Sequence, residues 1–216
     1  MIRNKSRAWW FGASDTSHIM GNWGTKSFAR WWLEKIGLRI SNYSTMAMRA
    51  GTAYEHKVLD AIGVSRKDRQ IRKFTLRLRV NLDGETRMKI SEVKTWLGEK
   101  EDSFSVSKSY WEQCQVEMYA AKKECQIVAY RVTEDEYKNY FLPIEQERIS
   151  FHPIQYDEKW INEQYLPRLR YFVFCMIRRK LPGVEEFNEN KELWECKNGI
   201  SKLMVLWTFF LAFLQR

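Results

Sequence analysis

The sequence predicts an α/β (α+β) fold in which helices flank a mixed central β-sheet. The first observation behind this prediction is the order of the elements: helices come first, then a hairpin, a helix and a further strand. The second is the composition, because 216 residues with 44% apolar and 15% aromatic side chains suffice for one domain with a full core. We therefore expect a single domain over residues 1–216. Its motif-bearing core spans about residues 7–132, and a C-terminal helical region spans about residues 157–216.

The first elements of the chain are helical. Ser14 or Asp15 is expected to cap a short helix, because both side chains accept hydrogen bonds from first-turn N–H groups. Apolar residues at helical spacing predict a helix over residues 25–36 and a second helix over residues 46–62. A glycine follows each of these two helices, as is usual at a helix C-terminus: Gly37 and Gly63.

A β-hairpin follows the second helix. Apolar and polar residues alternate over residues 71–82, which predicts a strand with one buried face. The pair Asp83-Gly84 is a turn signal, and residues 88–96 form the returning strand. Asp83 is thus expected at the turn end of the hairpin.

The second half of the chain contains four further helices or strands. We expect a helix over residues 108–122 and an apolar strand over residues 126–132. Residues 137–149 are assigned to an edge strand, because Pro143 cannot donate a hydrogen bond to a central sheet ladder. Residues 159–179 form a long amphipathic helix that a proline interrupts.

The charge of the chain favours a polyanionic partner. The net charge is +9, so nucleic acid is the first candidate partner and an anionic membrane surface the second. A solvated strand face is the simpler interpretation of a basic segment. We favour a wall that faces DNA, because the basic residues cluster just before the acidic residues Asp83 and Glu92, and only Asp68 opposes their charge. The basic residues are Arg66, Lys67, Arg69, Arg72, Lys73, Arg77 and Arg79.

The cysteines and the ends of the chain indicate a cytoplasmic protein. The four cysteines have neither a CxxC spacing nor a zinc-ligand spacing, so we expect reduced thiols and no iron–sulfur cluster. The N-terminus has no signal-peptide pattern. Residues 203–214 are apolar, but a membrane span needs roughly twenty residues. This tail is expected to form a buried or subunit-contact helix, and no membrane partner is predicted.

Three side chains of the hairpin form a candidate catalytic group. Glu92 and Lys94 are two apart on a strand, so they project from the same face toward Asp83 on the neighbouring strand. Carboxylates are the hard oxygen ligands that Mg²⁺ prefers. A bound Mg²⁺ polarises phosphate and lowers the pKa of water, while a lysine orients that water or stabilises developing charge. The pattern therefore predicts metal-dependent phosphodiester hydrolysis.

Four segments carry a resemblance to a known family. They are Gly12-Ala13-Ser14-Asp15, Gly51-Thr52-Ala53-Tyr54-Glu55, Asp83-Gly84 followed by Glu92-Val93-Lys94, and the helix that begins Tyr110-Trp111-Glu112-Gln113-Cys114-Gln115 and continues Val116-Glu117-Met118. Together they resemble the PD-(D/E)XK nuclease superfamily, and within it the viral recombinase exonucleases of the YqaJ and lambda exonuclease type. The resemblance covers about residues 7–120, and the Tyr-x-x-Gln-x-Gln-x-x-Met helix is its most specific part.

The resemblance implies a restriction-endonuclease-like core and a set of metal ligands. Glu55, Asp83 and Glu92, with the backbone carbonyl of Val93, would bind one or two Mg²⁺ ions, for which Mn²⁺ is a possible substitute. Lys94 would activate the attacking water.

The resemblance also implies how DNA is held. Gln113 would contact the phosphate near the scissile bond, and Tyr110 and Gln115 would line the same DNA-binding wall. Ser14 and Arg7 match the family's pocket for a terminal 5′-phosphate, and helix N–H groups with a guanidinium suit such a dianion. A serine in this position is equally explained as a plain N-cap.

The function implied is a phage-type exonuclease that degrades linear duplex DNA from its 5′ ends and leaves 3′ single strands for recombination. A homo-oligomer, by analogy a ring-shaped trimer, and a single-strand annealing protein are the implied partners besides DNA ends. If the source is viral, the implied location is the cytoplasm of the host cell. Two alternatives remain open. One is a structure-specific or nicking endonuclease on the same fold, which the Ser14 and Arg7 pocket would distinguish. The other is a non-catalytic DNA-binding phage protein on a nuclease scaffold.

Overall fold

The computed structural model describes residues 7–40, 45–99 and 103–195. Within these ranges one five-stranded sheet is formed by β1 (Arg66–Lys73), β2 (Leu78–Glu85), β3 (Lys89–Leu97), β4 (Glu124–Val132) and β5 (Ile149–Ile154). The strands lie side by side in chain order. β3 and β4 pair in parallel, whereas the other neighbours are antiparallel. The predicted mixed sheet flanked by helices is therefore confirmed.

The α-helices of the described ranges are α1 (Thr16–Met20), α2 (Lys26–Lys35), α3 (Met46–Ala61), α4 (Lys108–Ala121), α5 (Glu134–Lys138), α6 (Glu158–Trp160), α7 (Leu166–Ile177), α8 (Val184–Glu189) and α9 (Lys191–Trp194). The three longest predicted helices of the core, now α2, α3 and α4, begin at Thr25, Thr45 and Ser107, whose hydroxyls accept first-turn N–H groups. Gly37 and Gly63 have left-handed backbones (φ +76° and +74°), as expected after a helix.

The hairpin is built differently from the prediction. A 3₁₀ turn at Phe74–Leu76 and a left-handed Arg77 (φ +47°) divide the single strand expected over residues 71–82. The segment therefore forms the hairpin of β1 and β2, with Ile71 opposite Val80. Asp83-Gly84 is not the turn, because it lies inside β2, and the next turn closes where Thr86 N donates to Lys89 O at 2.8 Å.

Packing explains why position 84, which the sequence assigned to a turn, is a glycine. A Cβ placed on Gly84 would lie 2.5 Å from Leu59 Cδ2 and 2.9 Å from Val64 Cγ1. Gly84 is thus required for the close approach of α3 to the sheet. By contrast, a Cβ on Gly51 would make only an ordinary 3.6 Å contact with Thr95 Oγ1.

Two later predictions also need correction. The edge strand is residues 149–154, not 137–149, because Thr133 and Glu136 form a capping box that starts α5 instead. The long helix predicted over residues 159–179 contains a π turn at Ile161–Tyr165, and Pro167 lies in the first turn of α7. The chain stays helical from Glu158 to Ile177, but the π turn interrupts its regular α-helical hydrogen bonding just before Pro167, which cannot donate a hydrogen bond to the preceding turn.

Separate hydrophobic clusters cover the sheet. α3 contributes Tyr54, Val58 and Leu59, which pack with Val93 and with β4. The larger cluster joins α1, α2, α4 and α7 to β2, β3 and β4, and it includes both tryptophans of the pair Trp31-Trp32. The catalytic candidates of β2 and β3 therefore lie on a scaffold that is packed from helices on more than one side.

Cys114, Cys125 and Cys175 are buried free thiols, whereas Cys196 and the apolar residues 203–214 lie outside the described residues. None of the helices in the described ranges has both the length and the apolar character needed to cross a lipid bilayer.

Candidate active site

The pairing of β2 with β3 brings Asp83 next to Glu92 and Val93. Gly84 lies opposite Ser91. The residue before Gly84, Asp83, accepts at its Oδ2 a 2.9 Å hydrogen bond from the N–H of Val93, which is two residues after Ser91. The structure thus brings Asp83 and Glu92 together, although Asp83 lies within a strand rather than at a turn.

Glu92 is the centre of a buried polar network. Its Oε1 accepts from Lys94 Nζ at 2.7 Å and from Gln113 Nε2 in a short hydrogen bond. Lys94 Nζ also donates to Gln113 Oε1 at 3.1 Å and lies 4.8 Å from the centre of the Tyr110 ring. The structure therefore brings four predicted site residues, Glu92, Lys94, Tyr110 and Gln113, into one group.

The second oxygen of Glu92 is the feature that best fits a cation. Glu92 Oε2 is buried and has no hydrogen-bond partner among the described residues. A buried carboxylate oxygen without a partner is costly, and a bound cation would satisfy it. With Asp83 beside it, the site offers the hard oxygen donors that Mg²⁺ and Mn²⁺ take. The residues present therefore fit a divalent metal ion.

The charges of this group are unbalanced. Burial, and then the nearby Glu92 and Glu55 carboxylates, raise the pKa of Asp83 well above its usual value. Burial opposes the charge of Lys94, yet the Glu92 and Asp83 carboxylates raise the pKa of its ammonium group. Lys94 is thus positively charged, and more carboxylates than one lysine can neutralise surround it.

Glu55 reaches this group from α3 and is half-buried. Burial, and then Glu92, raise the pKa of Glu55. Its carboxylate belongs to a second group in which ligand atoms of Glu55, His56 and Asp68 lie within 4.8 Å of one another. His56 Nε2 is 3.2 Å from Asp68 Oδ2 and 3.9 Å from Glu55 Oε1. These residues extend the set of donors available to a cation near Glu55.

Three nearby residues have no role in the sequence-based prediction: His56, Asp68 and Glu117. Asp68 was noticed as the one acid of the basic segment, but its left-handed backbone (φ +57°) in β1 is not visible in the sequence. Glu117 is fully buried and accepts from Gln113 Nε2 at 2.9 Å. The sequence did offer a signal for Glu117, because a glutamate on the buried face of a helix is rare unless it has a partner.

Gln115 is placed apart from the catalytic group. Its side chain is fully buried, with Nε2 donating to Gln155 O and Oε1 accepting from Asp157 N, both at 2.7 Å. The side chain therefore connects α4 to the segment before α6. The second glutamine of the Gln-x-Gln motif thus bonds to backbone groups, in contrast to Gln113, and its DNA contact stays a prediction.

The residues proposed for a 5′-phosphate pocket lie near a different buried group. Asp15 accepts hydrogen bonds from Lys35 Nζ, from Trp31 Nε1 at 2.9 Å and from Gly12 N at 2.6 Å. Asp15 therefore holds its own loop and α2 together, and neither Ser14 nor Asp15 caps the first turn of α1 as expected. Ser14 is exposed beside this group.

Arg7 adds positive charge to the same region. It is exposed, and it is close enough to Lys35 and Arg79 to lower the pKa of each, although burial is the larger cause in both cases. Ser14 and Arg7 thus share one neighbourhood, and a binding role for them stays a prediction.

The basic segment is partly neutralised within the fold. Buried Glu85 pairs with Arg66 Nη2 at 3.4 Å, with Arg69 Nη1 at 2.9 Å and with Lys123 Nζ. Arg72 and Arg77 instead lie over the Trp10 ring, each 5.9 Å from its centre. The part of the basic segment that remains open to a polyanion is therefore nearer the β1–β2 turn than the predicted wall as a whole.

A scan of protein-family models and a search of curated proteins each find no match for this chain. Among solved structures, it is similar to an alkaline exonuclease from Laribacter hongkongensis, with 18% identity, a TM-score of 0.54 and coverage of 86% of this chain and 94% of that chain. A phage-related exonuclease from Haemophilus somnus 129PT gives 13% identity, a TM-score of 0.54 and coverage of 77% and 91%.

Both similar structures are exonucleases of nearly the same length as the matched region, and the shared feature is the fold. Their fold is the one that the hairpin and helix motifs of this sequence predict. This chain therefore shares the fold of these two exonucleases, as the resemblance implied.

Proposed function

We propose that this chain is a Mg²⁺-dependent deoxyribonuclease that degrades one strand of linear duplex DNA from its 5′ end and leaves a 3′ single strand for recombination. The observation that carries the proposal is Glu92 Oε2, a buried carboxylate oxygen without a hydrogen-bond partner among the described residues, next to Asp83 and Lys94. Nuclease folds of similar proteins support the reaction class.

The ligands of the proposed metal are the carboxylates of Asp83, Glu92 and Glu55 and the backbone carbonyl of Val93. When bound, Mg²⁺ or Mn²⁺ supplies Lewis-acid activation of the phosphate and a water of lowered pKa. Asp83 is held in place for this task by Val93 N.

Lys94 acts as a hydrogen-bond donor rather than as a base. Its ammonium group is paired with Glu92 at 2.7 Å, and the neighbouring carboxylates raise its pKa, so it keeps its proton. A charged donor in this place orients the attacking water and stabilises the negative charge that develops on the phosphate. Gln113, whose Oε1 accepts from Lys94, contacts the phosphate, and Tyr110 lines the same wall.

DNA ends are the proposed substrate. Ser14 and Arg7, in the basic neighbourhood of Lys35 and Arg79, are proposed to bind the 5′-phosphate. A homo-oligomer, by analogy a ring-shaped trimer around the duplex, and a single-strand annealing protein belong to the same proposal. Light scattering of the purified protein tests the oligomer directly.

The first experiment is a cleavage assay with Mg²⁺. Linear duplexes labelled at either end, with and without a 5′-phosphate, are compared with a closed circle. The proposal predicts progressive loss from phosphorylated 5′ ends, uncut circles, and no activity in EDTA. Mn²⁺ is expected to replace Mg²⁺.

Matched variants on one strand identify the site. Lys94→Ala removes the proposed donor, whereas Lys89→Ala removes a half-buried lysine at the start of the same strand β3. We expect at least a hundredfold loss of activity in Lys94→Ala, comparable to loss of a charge-stabilising donor, and wild-type activity in Lys89→Ala. Cleavage of closed circles would instead establish an endonuclease. Failure to cut any DNA with Mg²⁺ or Mn²⁺ would leave a DNA-binding protein.

A further inference from the structure

Glu117 is connected to the candidate active site through the side-chain amide of Gln113. The primary amide of Gln113 has two N–H groups, and Nε2 donates both to Glu92 Oε1 and to Glu117 Oε1, the latter at 2.9 Å. Gln113 Oε1 accepts from Lys94 Nζ at 3.1 Å. Every polar atom of the Gln113 amide is thus used, and Glu117 provides one of its acceptors.

This set of contacts defines which way the amide points. If the amide were rotated by half a turn, its N–H groups would face the Lys94 ammonium group and its oxygen would face two carboxylate groups. Both changes replace hydrogen bonds with repulsion. One N–H of Gln113 is enough for Glu92, and the amide oxygen is enough for Lys94. The second N–H of Gln113 therefore needs Glu117 as its acceptor.

The surroundings of Glu117 make it a rigid support. Its side chain is fully buried on the inner face of α4, four residues after Gln113. Its Oε2 lies 3.9 Å from the buried thiol of Cys125, and its ligand atom lies within 4.8 Å of the sulfur atoms of both Cys114 and Cys125. Apolar packing on this side leaves the carboxyl group little freedom to move.

We propose that Glu117 is a positioning residue: it holds the Gln113 amide so that its oxygen stays on Lys94 and its N–H stays on Glu92. Glu117 itself contacts neither DNA nor metal in this proposal. The inference rests on the proposed nuclease function only for its kinetic consequence, because the hydrogen bonds exist in the free protein. Without the acceptor at position 117, one N–H of the half-buried Gln113 loses its partner and the amide rotates away.

The test compares Glu117→Met, which keeps the size but removes the acceptor, with Glu117→Gln, whose side-chain oxygen still accepts. Glu112→Met is the matched control, because Glu112 is a buried glutamate of the same helix that pairs with Lys108 at 3.8 Å. We expect kcat to fall about tenfold in Glu117→Met, the size of one lost hydrogen bond, with an unchanged KM for DNA. Glu117→Gln and Glu112→Met should stay near wild type.

A double-mutant cycle separates positioning from general damage. In a Gln113→Ala background the amide is absent, so adding Glu117→Met should cause no further loss of kcat. A tenfold loss that persists in that background would overturn the proposal. So would an unchanged kcat in Glu117→Met.

An NMR measurement decides the point without activity. The side-chain amide signals of Gln113, identified by their absence in Gln113→Ala, should show two protons that both exchange slowly with solvent. One of them should exchange faster in Glu117→Met and remain slow in Glu112→Met. If Glu117→Met does not fold, fast exchange of either proton in the wild-type protein overturns the proposal. Lack of metal-dependent cleavage by the wild type would refute the nuclease function and leave this measurement valid.

Discussion

Val93 and Asp83 join the two strands that carry the candidate active site, because Val93 N donates a 2.9 Å hydrogen bond to Asp83 Oδ2. The bond fixes one oxygen of the half-buried Asp83 carboxylate beside Glu92. It also makes the register of β2 against β3 a determinant of the site, since a slip of one residue would turn Asp83 to the other face. Strands rather than loops therefore position these candidate ligands.

The crowded carboxylates predict an unusual effect of Asp83→Asn. This change removes one negative charge from a buried group that already includes Glu92 and Glu55. We expect the melting temperature in EDTA to rise by a few degrees, since about 1 kcal/mol of repulsion is relieved. The same variant should lose cleavage activity, because a ligand is gone.

Added metal provides the control for Asp83→Asn. Mg²⁺ should raise the melting temperature of the wild type, because it binds only the folded site, and should have a much smaller effect on the variant. A lower melting temperature of the variant in EDTA would contradict the repulsion argument.

The same groups predict how stability changes with pH. The pKa of Asp83 and that of Glu117 lie well above their usual values of 3.8 and 4.5, chiefly through burial. The folded state therefore holds more protons than the unfolded state above these values, and the free energy of unfolding should fall as pH rises from about 4. Asp15 and Glu85 have lowered pKa values, and their contributions change in the opposite direction.

A difference measurement isolates the two raised groups. Urea unfolding in EDTA is followed at several pH values for the wild type, Asp83→Asn and Glu117→Gln. Each variant should gain stability relative to the wild type as pH rises, and Mg²⁺ should remove the gain of Asp83→Asn. A difference that is constant with pH would refute the assignment.

The sequence was sufficient to predict that the candidate catalytic residues lie together, because most of them are close along the chain or on one regular element. Glu92 and Lys94 share a strand face, and Gln113 is on a helix with clear apolar spacing. Gln115 could not be separated from Gln113 in this way. Both are glutamines of one motif, and only the packing of α4 against residues 155–157 distinguishes their environments.

Gln113 and Gln115 should therefore respond differently to alanine. Gln115→Ala removes two buried hydrogen bonds to backbone groups and leaves both without their partner. We expect it to lower the free energy of unfolding by about 1–3 kcal/mol while DNA binding and kcat stay near wild type. Gln113→Ala should reduce kcat with a smaller loss of stability. Parallel urea titrations and cleavage assays check both, and weakened DNA binding in a folded Gln115→Ala protein would support the DNA contact predicted for Gln115.

Tertiary contacts also determine whether a glycine lies in a turn or in a strand. The pair Asp83-Gly84 carries the local pattern of a turn, yet β2 continues through it because α3 packs against the position. Local sequence patterns describe turn preference, but they do not include a helix about twenty residues earlier. The true turn after β2 has no glycine, as the sequence Glu85-Thr86-Arg87-Met88 shows.

Two glycine substitutions test this interpretation of the packing. In Gly84→Ala the new methyl group would meet Leu59 Cδ2 at 2.5 Å and Val64 Cγ1 at 2.9 Å, and both side chains are buried. Overpacking of this kind should lower the free energy of unfolding by about 1–3 kcal/mol, and it should shift α3 and with it Glu55.

Gly51→Ala is the control, because its methyl group meets only Thr95 Oγ1 at 3.6 Å in the interior of α3. Alanine there should stabilise the protein by about 0.5–1 kcal/mol, since glycine is a poor helix former. Urea unfolding measures the change in the free energy of unfolding for each variant, which should be negative for Gly84→Ala and positive for Gly51→Ala. Equal stability of the two variants would show that Gly84 is not needed for the approach of α3.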